Sequence, residues 1–188
     1  MSDRELAMDR FLSGVERSAF RIARISTRHH DDALDIVQDA MIKLAQRYAS
    51  RPPAEWKPLF YKILRNRIVD YQRRQTLRRK VLAWRSPASE DDYADPLNTA
   101  VAPRGLGPGQ QNMAHEALQQ LEYAVAQLAP RQQQAFLLRM LEDMSVADTA
   151  RVMGCSEGSV KTHYSRAVHQ LREALGDYWE TPGEDDLL

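Results

Sequence analysis

The sequence predicts an all-α protein: two small helical domains joined by a flexible linker, the second of them a helix-turn-helix domain. Three observations carry that prediction. Apolar residues recur at three- and four-residue steps through 8–80 and again through 114–176, the period of one helix face. No segment shows the two-residue alternation of β-branched side chains that marks a strand. Between the helical stretches, 84–113 (WRSPASEDDYADPLNTAVAPRGLGPGQQNM) is rich in Pro, Gly, Ser and Asp without any period, which is linker composition. The expected bounds are a first domain at 1–80, a linker at 81–113, a second domain at 114–176 and a short acidic tail at 177–188.

The 188 residues are enough for two small cores. Cys155 is the only cysteine, so no internal disulfide can form. No run of about 18 apolar residues occurs, which argues against a membrane-spanning helix and against membrane insertion. The opening MSDRELAMDRF is charged and has no apolar core of a secretory signal, so a cytoplasmic location is expected. His29-His30 and His115 lack the partners and spacing of a metal site, and no metal or cofactor is expected.

In the first domain Pro52-Pro53 is the one clear break. Before it, over 31–48, Leu34, Val37, Met41, Leu44 and Tyr48 step by three and four and predict one buried stripe. Asp32, Asp35, Asp39, Lys43 and Gln46 then face outward, with Ile36 and Ile42 at the margins. After the break, over 58–74, Phe60, Ile63, Leu64, Ile68 and Tyr71 predict a second stripe. Its polar side is Lys62, Arg65, Asn66, Asp70, Arg73 and Arg74, and Pro58 stands near the helix start, where its missing N–H is tolerated.

The formal net charge of zero hides an uneven distribution. Residues 51–80 carry ten basic side chains against only Glu55 and Asp70, a net of +8. A basic block in a neutral chain is the footprint of polyanion binding, although a solvated basic helix face would look similar. Trp56, Phe60 and Tyr61 are interleaved with that block, and charge plus aromatics is the surface that grips unpaired bases. Phe60 also lies on the apolar stripe and reads as core.

The second domain is the sharper signal. Ser145 and Asp148 resemble a capping box that opens a short helix running to Met153. Gly154 supplies a residue tolerant of positive φ where that helix stops. Ser156 then caps a longer helix, on which Val160, Tyr164, Val168, Leu171 and Leu175 form the buried face. Its opposite face holds Gly158, Thr162, Ser165, Arg166 and His169, with Lys161 on the flank. Short polar and basic groups near the start of a second helix are what a major groove accepts, and Arg to guanine is the commonest specific contact. An ordinary helical hairpin with a solvated face is the plain alternative.

These residues resemble the sigma-70 family of bacterial RNA polymerase specificity factors in its smallest, extracytoplasmic-function form. The likeness covers roughly 10–80 and 114–176. Leu128-x-Pro130, Ala135-Phe136-Leu137-Leu138, Met153-Gly154 and Ser156-Glu157-Gly158-Ser159-Val160-Lys161-Thr162 look like the family's region 4, which reads the −35 element. Lys161, Thr162, Ser165 and Arg166 are the DNA-reading residues this implies. Asp32-Ala33-Leu34-Asp35-Ile36-Val37-Gln38-Asp39 resembles the helix that docks on the polymerase β′ clamp, which implies Asp32, Asp35, Gln38 and Asp39 as docking residues. Leu59 through Asn66 resembles the region that binds and opens the −10 element, and the preceding loop, Ser50 to Glu55, stands where the family captures a flipped-out base. The implied −10 contacts are Arg51, Trp56, Tyr61, Lys62, Arg65, Asn66, Asp70, Arg73 and Arg74.

Two departures stand out. Leu59 takes the place where the family commonly has Trp, and His163 stands where Arg is frequent. The resemblance implies core RNA polymerase (β′ clamp helices and β flap) and promoter DNA as partners, with an anti-sigma factor in many relatives, and no catalysis. Two other readings are open on the residues alone. Val160-Lys161-Thr162-His163 also resembles response-regulator transcription factors, whose receiver domain would need strands. Arg24-x₄-His29 fits the loose pattern of small all-helical ribonucleases, which would need both groups converging on one phosphate.

Overall fold

The computed structural model describes residues 3–85 and 108–176; the tail at 177–188 and residues 86–107 of the linker lie outside them. Among the described residues there are seven α-helices and no strand. They form two compact units, one built on α1 (Asp3–Thr27), α2 (His30–Tyr48) and α3 (Pro53–Arg85). The other is built on α4 (Pro108–Gln127), α5 (Pro130–Met140), the start of α6 (Val146–Met153) and α7 (Glu157–Leu175). Helix α3 therefore runs past residue 80 and α4 starts before 114, both inside the stretch expected as linker. Helices add one hydrogen bond per residue once begun, so composition alone misplaces their ends.

In the first unit each helix packs on the other two. Helix α1 buries Met8, Val15, Ala19, Ile22, Ala23 and Ile25. It stops at a place the sequence does not mark with Gly or Pro. Arg28 adopts φ +59°, its N–H donates to Arg24 O at 2.9 Å, and His29 caps α2 by accepting from the Asp32 N–H. The left-handed turn costs a non-glycine residue about 1–2 kcal/mol, which the packing of both helices offsets.

Helix α2 is rotated from its expected setting. The buried side chains are Ala33, Ile36, Val37, Ala40 and Leu44, whereas Leu34 is 48% exposed and Ile42 46%. The helix must face α1 and α3 together, and the small Ala33 and Ala40, both at 0%, admit close neighbours. A hydropathy stripe gives alanine little weight and so pointed elsewhere.

Helix α3 starts at Pro53 and not near Pro58 as expected, so Glu55 is helical and the loop is shorter than 50–55; Pro53 is the proline that takes the tolerated first position. Pro58 sits a turn further in. Trp56 and Tyr61, expected at the DNA surface, are each 1% exposed. The Trp56 and Phe60 rings lie 5.9 and 6.2 Å from that of Phe11, and Tyr61 packs edge-on to Phe60 at 5.2 Å. Their polar atoms are satisfied inside: the Trp56 indole N–H donates to Tyr48 O at 3.2 Å, and the Tyr61 hydroxyl is 3.2 Å from Ser18 Oγ. Buried aromatics with partnered polar tips are core residues. Neither lies on the surface of this structure.

In the second unit α4 and α5 pack on α7. Helix α5 buries Ala135, Phe136, Leu137 and Leu138, and its buried Gln133 amide donates to Val125 O of α4 at 3.0 Å. The helix-turn-helix forms as its local signals require. The Ser145 hydroxyl accepts from the Asp148 N–H at 3.0 Å and donates to the Asp148 carboxylate at 2.7 Å. Gly154 has φ +63°, and the Cys155 N–H reaches back to Ala150 O at 3.2 Å, the bond of a glycine-terminated helix end. Ser156 Oγ accepts from the Ser159 N–H at 3.1 Å and starts α7, which buries Val160, Ala167, Val168, Leu171 and Leu175.

Candidate nucleic-acid and protein interfaces

Helix α7 presents its surface opposite those buried residues. Lys161, Thr162, Ser165 and Arg166 are all exposed and fall within about 140° of arc, with Gly158 and His169 near the middle. The Thr162 hydroxyl donates to Gly158 O at 2.9 Å, which leaves the lone pairs of its oxygen as acceptors. A Cβ on Gly158 would meet nothing nearer than Ser156 Oγ at 3.9 Å, so the surface there is open rather than packed. His169 and Glu173, 3.4 Å apart, occupy the later turns. On the inner side, Tyr164 stacks on Phe136 at 6.3 Å and lies under the Arg139 guanidinium at 5.9 Å, and Arg139 also donates to Met144 O. One α5 side chain thus ties the loop before α6 to the ring that seats α7.

On α3, Lys62, Asn66, Asp70 and Arg73 form one exposed row with Leu77, and Arg74 is exposed on its flank. Arg65 is half-buried and donates to Asn66 Oδ1 at 3.1 Å, which orients the amide. Arg51 is exposed in the turn before α3 and lies 3.8 Å from Glu55. The structure thus keeps the polar members of the expected −10 set on the surface and removes Trp56 and Tyr61.

On α2 the four acidic and amide positions separate. Asp35 and Gln38 are exposed beside Leu34 and Ile42, forming a mixed apolar and acidic ridge. The i, i+4, i+8 spacing of Leu34, Gln38 and Ile42 is the signal in the sequence that shows this ridge. Asp32 is instead engaged internally: the Tyr71 hydroxyl donates to it at 2.9 Å, and His29 Nδ1 is 3.2 Å away. Asp39, 56% exposed, pairs with Arg67 of α3 at 3.4 Å.

Among the described residues no group of three or more His, Cys, Asp or Glu could hold a metal ion. His29, half of the ribonuclease-like pair, serves as the cap of α2. A receiver domain would need strands, and 3–85 is helical. No described helix is long and apolar enough to cross a membrane.

Comparison with known proteins gives the family of the chain. Sigma-70 region 2 matches residues 9–78, and Sigma-70, region 4 matches residues 118–171. The RNA polymerase sigma factor SigV of Bacillus subtilis is 30% identical over 161 residues, covering 83% of both chains. The ECF RNA polymerase sigma factor SigM of Mycobacterium tuberculosis is 28% identical over 171 residues, 90% of this chain and 78% of that one. Among solved structures, the sigma factor RpoE of Bartonella quintana, crystallised with the anti-sigma factor NepR, aligns with TM-score 0.64 at 25% identity, over 89% of this chain and 97% of that one. The chain therefore belongs to the sigma-70 family, in its extracytoplasmic-function group, and is a transcription initiation factor that binds core RNA polymerase and promoter DNA rather than an enzyme.

Proposed function

We propose that the two units, at 3–85 and 108–176, divide promoter recognition between them. Helix α7 enters the major groove of the −35 element, with Arg166 and Lys161 reading base edges or phosphate and Thr162 and Ser165 offering short polar contacts. Lys62, Arg65, Asn66, Asp70, Arg73, Arg74 and Arg51 hold and open the −10 element. The α2 ridge of Leu34, Asp35, Gln38 and Ile42 docks on the β′ clamp helices, with Asp39 at its edge, and the second unit meets the β flap. The observation that carries this reading is the capped α7 with an outward face of short polar and basic side chains.

Charge supports a dependence on polymerase. Residues 114–176 carry six basic against seven acidic side chains, too few to hold phosphate strongly without another tether. The protein works in the cytoplasm, where polymerase and chromosome are, and an anti-sigma factor of the kind seen with RpoE is a candidate regulator. Run-off transcription with core polymerase on a panel of genomic promoter fragments tests the reading. Discrete transcripts that require this protein are expected; none above core enzyme alone would refute it.

A further inference from the structure

The pair between Asp39 and Arg67 joins two surfaces that the proposed function keeps separate. Arg67, Arg74 and Arg78 recur at steps of seven and four, so they form a second row along α3 beside the Lys62–Arg73 row. Arg74 and Arg78 are exposed, whereas Arg67 is turned toward α2, its side chain 38% exposed. One guanidinium nitrogen meets Asp39 Oδ2 at 3.4 Å, and its Nε is buried without a hydrogen-bond partner. That is a loose ion pair, not the two-pronged, fully satisfied arrangement arginine makes with a carboxylate where the pair is built for stability.

We infer that Arg67 is a DNA-phosphate contact held in reserve by Asp39, and released when a basic partner surface takes Asp39. Asp39 lies on the outward side of α2, next in angle to Asp35, so a partner on the docking ridge competes for its carboxylate. Arg67 then loses its counter-ion and completes the row with Arg74 and Arg78. Polymerase docking and DNA affinity become linked, and the linkage is reciprocal: DNA on this row favours the freed Asp39. An exposed pair of this kind shifts an equilibrium by only about two- to five-fold, weak enough for a partner to displace. The inference rests on the reading of α2 and α3 given above.

The full chain is titrated without polymerase against a fluorescein-labelled single DNA strand of mixed sequence, by anisotropy across a salt series. Asp39→Asn should tighten binding about two- to five-fold and steepen the log–log salt slope by about 0.7, one added phosphate contact. Adding Arg67→Gln should remove both gains, while Arg67→Gln alone should change little. Glu16→Gln, the same charge change at an exposed site on α1, should not steepen the slope. Circular dichroism verifies helix content, and Asp39→Ser replaces Asp39→Asn should that variant lose helix. No gain, a gain that survives Arg67→Gln, or an equal gain from Glu16→Gln overturns the inference. Arg73→Ala in the wild-type chain separates the layers: it must weaken binding, and if it does not, the reading of α3 itself falls and the inference with it.

Discussion

The hydroxyl of Tyr71 donates to Asp32 Oδ2 across 2.9 Å, fastening the middle of α3 to the first turn of α2. His29 Nδ1, which accepts from the Asp32 N–H to cap the same turn, lies 3.2 Å from that oxygen. Asp32 is thus part of the joint between two helices, and its substitution acts on the fold. Tyr71→Phe should destabilise the first unit by about 1 kcal/mol, the usual contribution of one hydrogen bond. Urea denaturation followed by circular dichroism measures it, and core-polymerase binding should persist in the folded variant.

The neighbouring ridge behaves oppositely. Leu34→Ser with Ile42→Ser removes exposed apolar surface, so stability should change by no more than about 0.5 kcal/mol. Co-purification with core polymerase should be lost. Asp35→Lys should give the same result, since Asp35 is exposed on that ridge. Normal polymerase binding by the double Ser variant would place the docking surface elsewhere.

Trp56 separates core from DNA surface in a single measurement. Truncating a fully buried indole costs about 3–5 kcal/mol, so Trp56→Ala should abolish or greatly weaken cooperative unfolding of the first unit. Lys62→Ala should leave stability within about 0.5 kcal/mol and impair transcription from a promoter with a paired −10 element. A promoter with a pre-melted −10 bubble should rescue Lys62→Ala to the extent that its defect is in opening. A stable, cooperatively folded Trp56→Ala chain would contradict the packing described above.

On α7, Arg166→Ala should cost about 1–3 kcal/mol at one position of the −35 element and relax specificity there. Ser156→Ala removes the cap and should cost about 1 kcal/mol of stability. Its effect on DNA should be uniform across −35 variants. A binding matrix over all single-base −35 changes distinguishes the two patterns.

The turn at Gly154 and the caps at Ser145 and Ser156 were legible in the sequence because each signal is local, a residue type whose own backbone or hydroxyl makes the feature. The outward face of α7 followed from the same register. What the sequence concealed depends on neighbours. Arg28 takes a left-handed conformation that glycine would have announced. Leu34 looks like core, and Ile36 like a margin, until the small Ala33 and Ala40 are seen to be the residues that admit α1 and α3. Trp56 and Tyr61 sit in a basic stretch and read as base-stacking groups, yet Tyr48, Ser18 and Phe11 enclose them. Asp32 and Asp39 match Asp35 in type, and only the positions of Tyr71 and Arg67 divide their roles.

Helix α3 is one uninterrupted run of 33 residues, which at 1.5 Å per residue is about 50 Å of rod. Among its side chains described through Arg78, the last buried one is Ile68, with Tyr71, Gln72 and Gln75 half-buried beyond and Arg78 exposed. Amide exchange along this rod should therefore be graded. Hydrogens from Phe60 to Gln72 should wait for opening of the whole unit, and those near Arg78 should exchange by fraying alone. A DNA strand laid along the exposed row would slow the second group far more than the first, so deuterium uptake near Arg78 serves as a local clock for DNA engagement.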